Sequence, residues 1–277
     1  MATFLAISSQ VARGHVGLSA IVPALTSLGH EVIGLPTVVL SNHPGHAHAA
    51  GLPVPPENLA AMLDALDANG WLGGIDAVLT GYLPSVAHVR FAARAIDRVR
   101  TASPGASIIC DPVLGDDPRG LYVEADAAAA LRAELVPRAD IVKPNRFELA
   151  WLAGSNVATL SDAARAAQAL ARPIVLATSI AQGALRIANI AVGREATVAC
   201  TVARRADAPH GTGDLLTALF AGHRMCGRPL AEALGRAVAG VDAVLAASLG
   251  RDELALTAAR ASLAGVEPFA TEPYATR

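Results

Sequence analysis

Asp214 stands behind Pro209-His210-Gly211-Thr212-Gly213 and at the head of an apolar run, Leu215-Leu216-Thr217-Ala218-Leu219-Phe220. Glycines let backbone N–H groups converge on one point without obstruction from side chains. A helix starting there adds unpaired N–H groups and a partial positive charge, both suited to an anion. A carboxylate beside such an anion hole is placed to take a proton from an alcohol while phosphate charge is neutralised close by. The same letters also fit an ordinary helix start, with Asp214 as partner to the helix dipole.

Other residues able to do chemistry recur at the ends of short apolar runs. Asp111 directly follows Ala106-Ser107-Ile108-Ile109-Cys110, and Asp116 comes five residues later. Two carboxylates at the end of a buried strand suit a hard cation such as Mg²⁺ carried on a nucleotide. They also fit a solvated turn opened by Asp-Pro. Asn145 and Glu148 have the spacing of a capping box; at a ligand-binding edge, Glu148 would instead order a metal-bound water. Ser9, Thr80-Gly81-Tyr82 and Thr178 close three further runs. Arg204 and Arg205 could approach phosphate oxygens or face solvent. His43, His46 and His48 lack the acidic or thiol partners of a metal site, and the Pro44-Gly45 between them marks a loop, so a histidine over a planar ligand is the better use.

The elements that position these residues alternate. Strands are expected at 3–9, 30–35, 76–82, 106–110, 140–143 and 173–179, and two hairpin strands at 184–192 and 196–202. Helices are expected at 18–28, 55–69, 84–100 and 124–135, from Asn145, from a Ser161 cap to Ala171, after Asp214, and at 229–247 and 253–264. Pro23 predicts a kink in the first helix or a start near it. The tail from Glu267 is expected to run extended over the surface. Repeating strand–helix units predict a mostly parallel sheet with helices on both faces, in a single domain over 1–277. The polar strand ends then share the edge where such sheets bind ligands.

Composition narrows the partners. A formal net charge of −2 argues against a nucleic-acid surface. No apolar run reaches membrane-spanning length, and the first residues lack the basic start and cleavage site of a signal peptide. Lys143 is the single lysine, so no Gly-x-x-x-x-Gly-Lys phosphate loop exists; backbone amides, arginines and a metal must carry any phosphate. Three scattered cysteines, Cys110, Cys200 and Cys226, fit neither disulfides nor zinc and predict a cytoplasmic location.

Over nearly its whole length the chain resembles the pyridoxal kinases of the ribokinase-like superfamily. The resemblance rests on Ile7-Ser8-Ser9-Gln10-Val11 with Gly14-His15-Val16-Gly17, Ser41-Asn42-His43, Thr80-Gly81-Tyr82, and Cys110-Asp111-Pro112-Val113-Leu114-Gly115-Asp116. It continues through Pro144-Asn145-Arg146-Phe147-Glu148 and Gly211-Thr212-Gly213-Asp214. It implies a three-layer α/β/α sandwich and ATP-dependent phosphorylation of the 5′-hydroxyl of pyridoxal, pyridoxine or pyridoxamine. Asp214 matches the base, and Gly211, Thr212 and Gly213 the anion hole. Ser9, Pro44, His46 and Tyr82 fall at substrate positions. Asp111, Lys143, Asn145, Glu148 and Thr178 fall at ATP positions. Asp111, Asp116 and Glu148 match groups around Mg²⁺ and a monovalent cation, K⁺. A homodimer is implied. Pro44, His46 and Leu18 depart from the family's frequent threonine, tyrosine and asparagine, which bears on vitamer preference. The rival readings are a hydroxymethylpyrimidine kinase of the same superfamily and a non-catalytic vitamin B6 sensor.

Overall fold

Burial on both sides sets the first strand: Phe4 and Ala6 join one apolar cluster while Leu5 and Ile7 join another on the opposite face. A strand with both faces apolar belongs in the middle of a parallel sheet covered by two helical layers. In the computed structural model, which describes residues 1–205 and 208–275, that is its place.

The chain runs β1 (Thr3–Val11), α1 (Leu18–Ser27), β2 (Glu31–Leu40), β3 (Gly51–Pro53), α2 (Pro56–Ala68), β4 (Ala77–Thr80) and α3 (Val86–Ala102). It continues through β5 (Ser107–Cys110), β6 (Gly115–Asp116), β7 (Gly120–Leu121), α4 (Ala125–Glu134), β8 (Ile141–Val142), α5 (Arg146–Ala153) and α6 (Leu160–Ala169). It closes with β9 (Ile174–Ala181), β10 (Arg186–Gly193), β11 (Thr197–Ala203), α7 (Thr212–Met225), α8 (Leu230–Ala247), α9 (Leu256–Leu263) and β12 (Glu272–Pro273).

One ten-stranded sheet has the order β12-β11-β10-β9-β8-β5-β4-β1-β2-β3. From β2 across to β9 the neighbours are parallel, and the outer strands on both sides are antiparallel. Helices α1, α7, α8 and α9 pack together on one face. Helices α2, α3 and α4, with α5 and α6 beyond them, cover the other. This is the expected three-layer α/β/α arrangement. The chain leaves β1 for β2 on one side and returns to β4 on the other side of β1, so β1 and β4 flank a topological switch point. A crevice opens outside the carboxyl ends of the strands at such a point.

Some local expectations give way to tertiary contacts. Helix α1 begins at Leu18 and runs through Pro23, because Leu18, Ile21, Ala24 and Leu25 are buried against the core and hold it together past the proline. Thr159, not Ser161, caps α6: its hydroxyl accepts from the Asp162 N–H while the Asp162 carboxylate accepts from the Thr159 N–H. Ser161 has no acidic residue three positions on, so it cannot form that reciprocal pair. The strand expected at 140–143 shrinks to Ile141–Val142, and the Lys143 N–H just past it donates to the Cys110 carbonyl of β5. The tail is not merely draped on the surface. Glu272–Pro273 adds an edge strand to β11, and the Tyr274 N–H donates to the Thr197 carbonyl. The short β6–β7 hairpin, which no sequence pattern announced, folds next to α5.

Candidate active site

The switch point gathers its residues through backbone bonds. Ile7 of β1 accepts from the Gly81 N–H just past β4, and the Ser8 hydroxyl accepts from the Tyr82 N–H. A side chain on Gly81 would strike the Ser8 hydroxyl at 2.3 Å and lie 3.9 Å from the Asp214 carboxylate. Two other glycines press loop 13–17 onto the same point. A Cβ on Gly17 would meet the Ser9 carbonyl at 2.2 Å and its hydroxyl at 2.3 Å. A Cβ on Gly211 would meet the His15 carbonyl at 1.9 Å, and Gly211 has φ of 101°, a left-handed conformation natural only to glycine. These close approaches bring Ser9, Gly17, Gly81 and Asp214 to one place.

Gly211 is the residue before α7, and Thr212, Gly213 and Asp214 form its first turn. Their N–H groups lack intrahelical partners, so this turn offers donors suited to an anion. Asp214 is half-buried here. Burial pushes its carboxyl up to about 6, repulsion from Asp111 adds to this, and the Gly17 N–H and Lys143 oppose it. A carboxyl poised near neutrality and still ionised at pH 7 is in the useful range for a base.

Asp111 ends β5 in the interior. Its Oδ2 lies 2.9 Å from the Lys143 Nζ and accepts from the Thr217 hydroxyl at 2.6 Å. Its Oδ1 is buried with no hydrogen-bond partner, and the same holds for Oδ1 of Asp116. Two bare carboxylate oxygens fit Mg²⁺, which takes one or two protein carboxylates and completes its shell with phosphate oxygens and water. Among the described residues no group of three or more His, Cys, Asp or Glu side chains could hold an ion unaided.

Asn145 and Glu148 do form the capping box of α5. Beyond that, Glu148 accepts from the Leu114 N–H at 2.8 Å with one oxygen and from the Asn145 N–H at 2.8 Å with the other. The Asn145 amide donates to the Gly115 carbonyl at 2.7 Å. Both side chains thus lash the 113–116 loop that carries Asp116. Burial pushes Glu148 up from the ordinary carboxylate range, with Lys143 opposing it. Thr178 is buried, and its N–H donates to the Pro144 carbonyl, bringing β9 against the Asn145 turn.

The remaining candidates are more peripheral. Tyr82 is half-buried behind Ser8, with its carbonyl accepting from the Thr37 hydroxyl. Pro44 is exposed. His46 turns to the α8–α9 loop, where its Nε2 lies 2.9 Å from Glu253. His43 does stack on a planar partner, but that partner is the His210 ring at 3.8 Å. Burial, then the neighbouring His210 and His46, lowers His43 to about 4, so the stacked imidazole is neutral. Leu18 packs into the core and cannot reach a ligand ring. Arg205 pairs with Asp242 on α8 rather than turning to the first turn of α7, and positions 206 and 207 of its loop lie outside the described residues.

Three contributors escaped the sequence reading. Thr217 lies three residues past Asp214, on the same helix face, and that spacing was a usable signal. The Gly17 N–H on Asp214 had none. Tyr122, just after β7, is held well above its ordinary range by burial and then by the charges of Glu148, Asp111, Asp116 and Asp214.

Comparison with known proteins places this geometry. A family model described as phosphomethylpyrimidine kinase matches residues 14–256. The pyridoxal kinase of Deinococcus radiodurans is 41% identical over 270 residues, covering 92% of this chain and 91% of its own length. That of Rubrobacter xylanophilus is 40% identical over 268 residues, covering 94% and 92%. Among solved structures, Entamoeba histolytica pyridoxal kinase superposes with a TM-score of 0.93 at 27% identity, over 99% of this chain and 100% of that one. Leishmania donovani pyridoxal kinase in complex with ADP and pyridoxine gives 0.93 at 28% identity, over 99% of both chains.

Proposed function

The chain belongs to the phosphomethylpyrimidine kinase family, and from that footing we propose that it is a pyridoxal kinase, transferring the γ-phosphoryl group of ATP to the 5′-hydroxyl of pyridoxal. The observation that carries this is the placement of Asp214. It is a carboxylate raised to about 6, set in the first turn of α7 and held by the Gly17 N–H at the sheet's switch point. Relatives about 40% identical over nine-tenths of the chain are pyridoxal kinases, and the Leishmania protein holds ADP with pyridoxine.

In this reading Asp214 takes the proton from the substrate hydroxyl as that oxygen attacks phosphorus in line. The N–H groups of Gly211, Thr212 and Gly213 face the charge that builds on the transferred phosphoryl oxygens. Phosphoryl transfer asks chiefly for positioning and charge neutralisation, which this site is built to supply. The free oxygens of Asp111 and Asp116 would hold Mg²⁺, which when bound would neutralise phosphate charge. Glu148 and Asn145 hold the loop that presents Asp116, and a remaining lone pair of Glu148 is open to a metal-bound water. Lys143 and Thr178 border the phosphates. Ser9 and Tyr82 border the vitamin ring, and loop 43–46 closes the mouth. Four carboxylates face one ammonium here, so a bare triphosphate is repelled and its magnesium complex is not.

The assembly is a homodimer in this reading. Val39 and Leu52 pair across β2 and β3 at the sheet's edge, both exposed, and such an apolar edge suits a second copy. The cysteines are free thiols, which suits a cytoplasmic enzyme, and among the described residues no helix is long and apolar enough to cross a membrane.

The deciding experiment is coupled ADP release with MgATP and pyridoxal, pyridoxine, pyridoxamine or hydroxymethylpyrimidine. Turnover led by pyridoxal is expected. Turnover led by the pyrimidine would reassign the substrate, and B6 binding without turnover would make the protein a sensor.

A further inference from the structure

The resemblance implied a monovalent cation such as K⁺ beside Asp111, and the side chains there do not fit one. Lys143, the chain's single lysine, is buried, and its Nζ sits 2.9 Å from Asp111 Oδ2. That same oxygen accepts from Thr217. The ammonium also abuts the anion hole: a Cβ on Gly213 would lie 3.3 Å from the Nζ. Glu148 and Asp214 are close enough to attract it. A dissociable ion at this point would lie against an ammonium of its own sign. Like charges this close repel strongly away from water.

We infer that the Lys143 ammonium is a built-in monovalent cation, and that the enzyme turns over without K⁺. This rests on the kinase reading and sharpens it. The covalently held charge does two things. It pins Asp111 by one oxygen, leaving the other bare for magnesium. It also brings one positive charge to the first turn of α7, where the transferred phosphoryl group gathers negative charge. Lysine suits this use because its ammonium is a compact point charge on a flexible stem, which guanidinium is not. The stem leaves the backbone between β8 and Pro144, and its far end is fixed on Asp111, which delivers the charge to one place.

The wild-type enzyme is assayed in KCl, NaCl and tetramethylammonium chloride at one ionic strength. Rates within about twofold of each other are expected, since only general screening then differs. A drop of about tenfold or more in tetramethylammonium would overturn the inference, since that is a cation acting at a specific site rather than by screening. The variant K143A in tetramethylammonium should lose on the order of a hundredfold in kcat, the scale for removing one preorganised charge-stabilising group. K⁺ or methylammonium, small enough to enter the vacated space, should restore part of it. A folded variant that no cation rescues would also overturn it.

A second readout does not depend on turnover or on the variant's folding. With one lysine in the chain, lysine labelled with ¹³C at Cε gives a single side-chain resonance. That resonance should stay fixed as K⁺ replaces tetramethylammonium and should move on addition of MgADP. A saturable shift with K⁺ would sink the inference. If no vitamer or pyrimidine were phosphorylated the kinase reading would fall, and the labelled lysine would still report whether K⁺ binds beside it.

Discussion

At the scale of single residues, the raised carboxyl of Asp214 makes opposite predictions for activity and stability. As a base it must be deprotonated, so kcat/KM should be flat near neutrality and fall about tenfold per pH unit below about 6. A limb near 4 in the pH–rate profile would remove the base from its role. For folding, a carboxyl raised above its unfolded value gives stability that is present below about 4 and lost as pH rises through about 6. D214N should therefore lose on the order of a hundredfold or more in kcat. It should also gain about 1–2 kcal/mol at pH 7.5, after the lost helix-dipole attraction, and nothing at pH 4. Thermal melts at the two pH values check this. Asp111 predicts the reverse pattern. D111N leaves the buried Lys143 ammonium without its partner and should cost about 3–5 kcal/mol, as well as weakening the Mg²⁺ dependence of the rate. An unchanged melting temperature would mean that the pair is not buried as described.

Elements carry the next layer, because each catalytic side chain is aimed by a junction rather than by its own rotamer. The loop between β1 and α1 reaches over α7 only because Gly211 takes a positive φ and leaves room for the His15 carbonyl. G211A should displace that loop, lower kcat at least tenfold, and cost about 1–3 kcal/mol, the usual range for a strained backbone. If activity survived, the close approach would be irrelevant to the site. The capping box at α5 does double duty. N145A removes a helix cap worth about 1 kcal/mol and also frees the Gly115 carbonyl that fixes the Asp116 loop. The expected signature is a raised Mg²⁺ requirement out of proportion to the small loss of stability, read from a magnesium titration of the rate beside a denaturant melt. Much of this layer was legible: the strand–helix alternation and the Asn145-x-x-Glu148 cap are local patterns. The β6–β7 hairpin and the Thr159 cap were harder. The hairpin is short and stabilised by packing on α5, and the cap competes with a serine two residues away.

For the molecule as a whole, the switch in strand order between β1 and β4 decides where the candidate site lies, and the proposed homodimer is tested at the apolar β2–β3 edge. Sedimentation equilibrium should return twice the chain mass. Introducing charge with L52E, at an exposed position far from Asp214, should yield monomers. A wild-type monomer would leave that edge without a partner.

What the amino-acid sequence determined by itself was whatever depends on neighbours along the chain. It set the alternation of apolar strands and amphipathic helices, the anion hole ahead of Asp214, the carboxylates at strand ends, and the resemblance that joined them. Tertiary structure decided what depends on distance through space. Lys143 and Asp111 are separated by an α-helix and three strands in sequence, and only adjacent parallel strands β5 and β8 put their charges 2.9 Å apart. His43 meets His210, Gly17 reaches Asp214, and Arg205 turns to Asp242 for the same reason. A side chain's partner is chosen by the packing of whole elements, and residue order alone does not encode that packing locally.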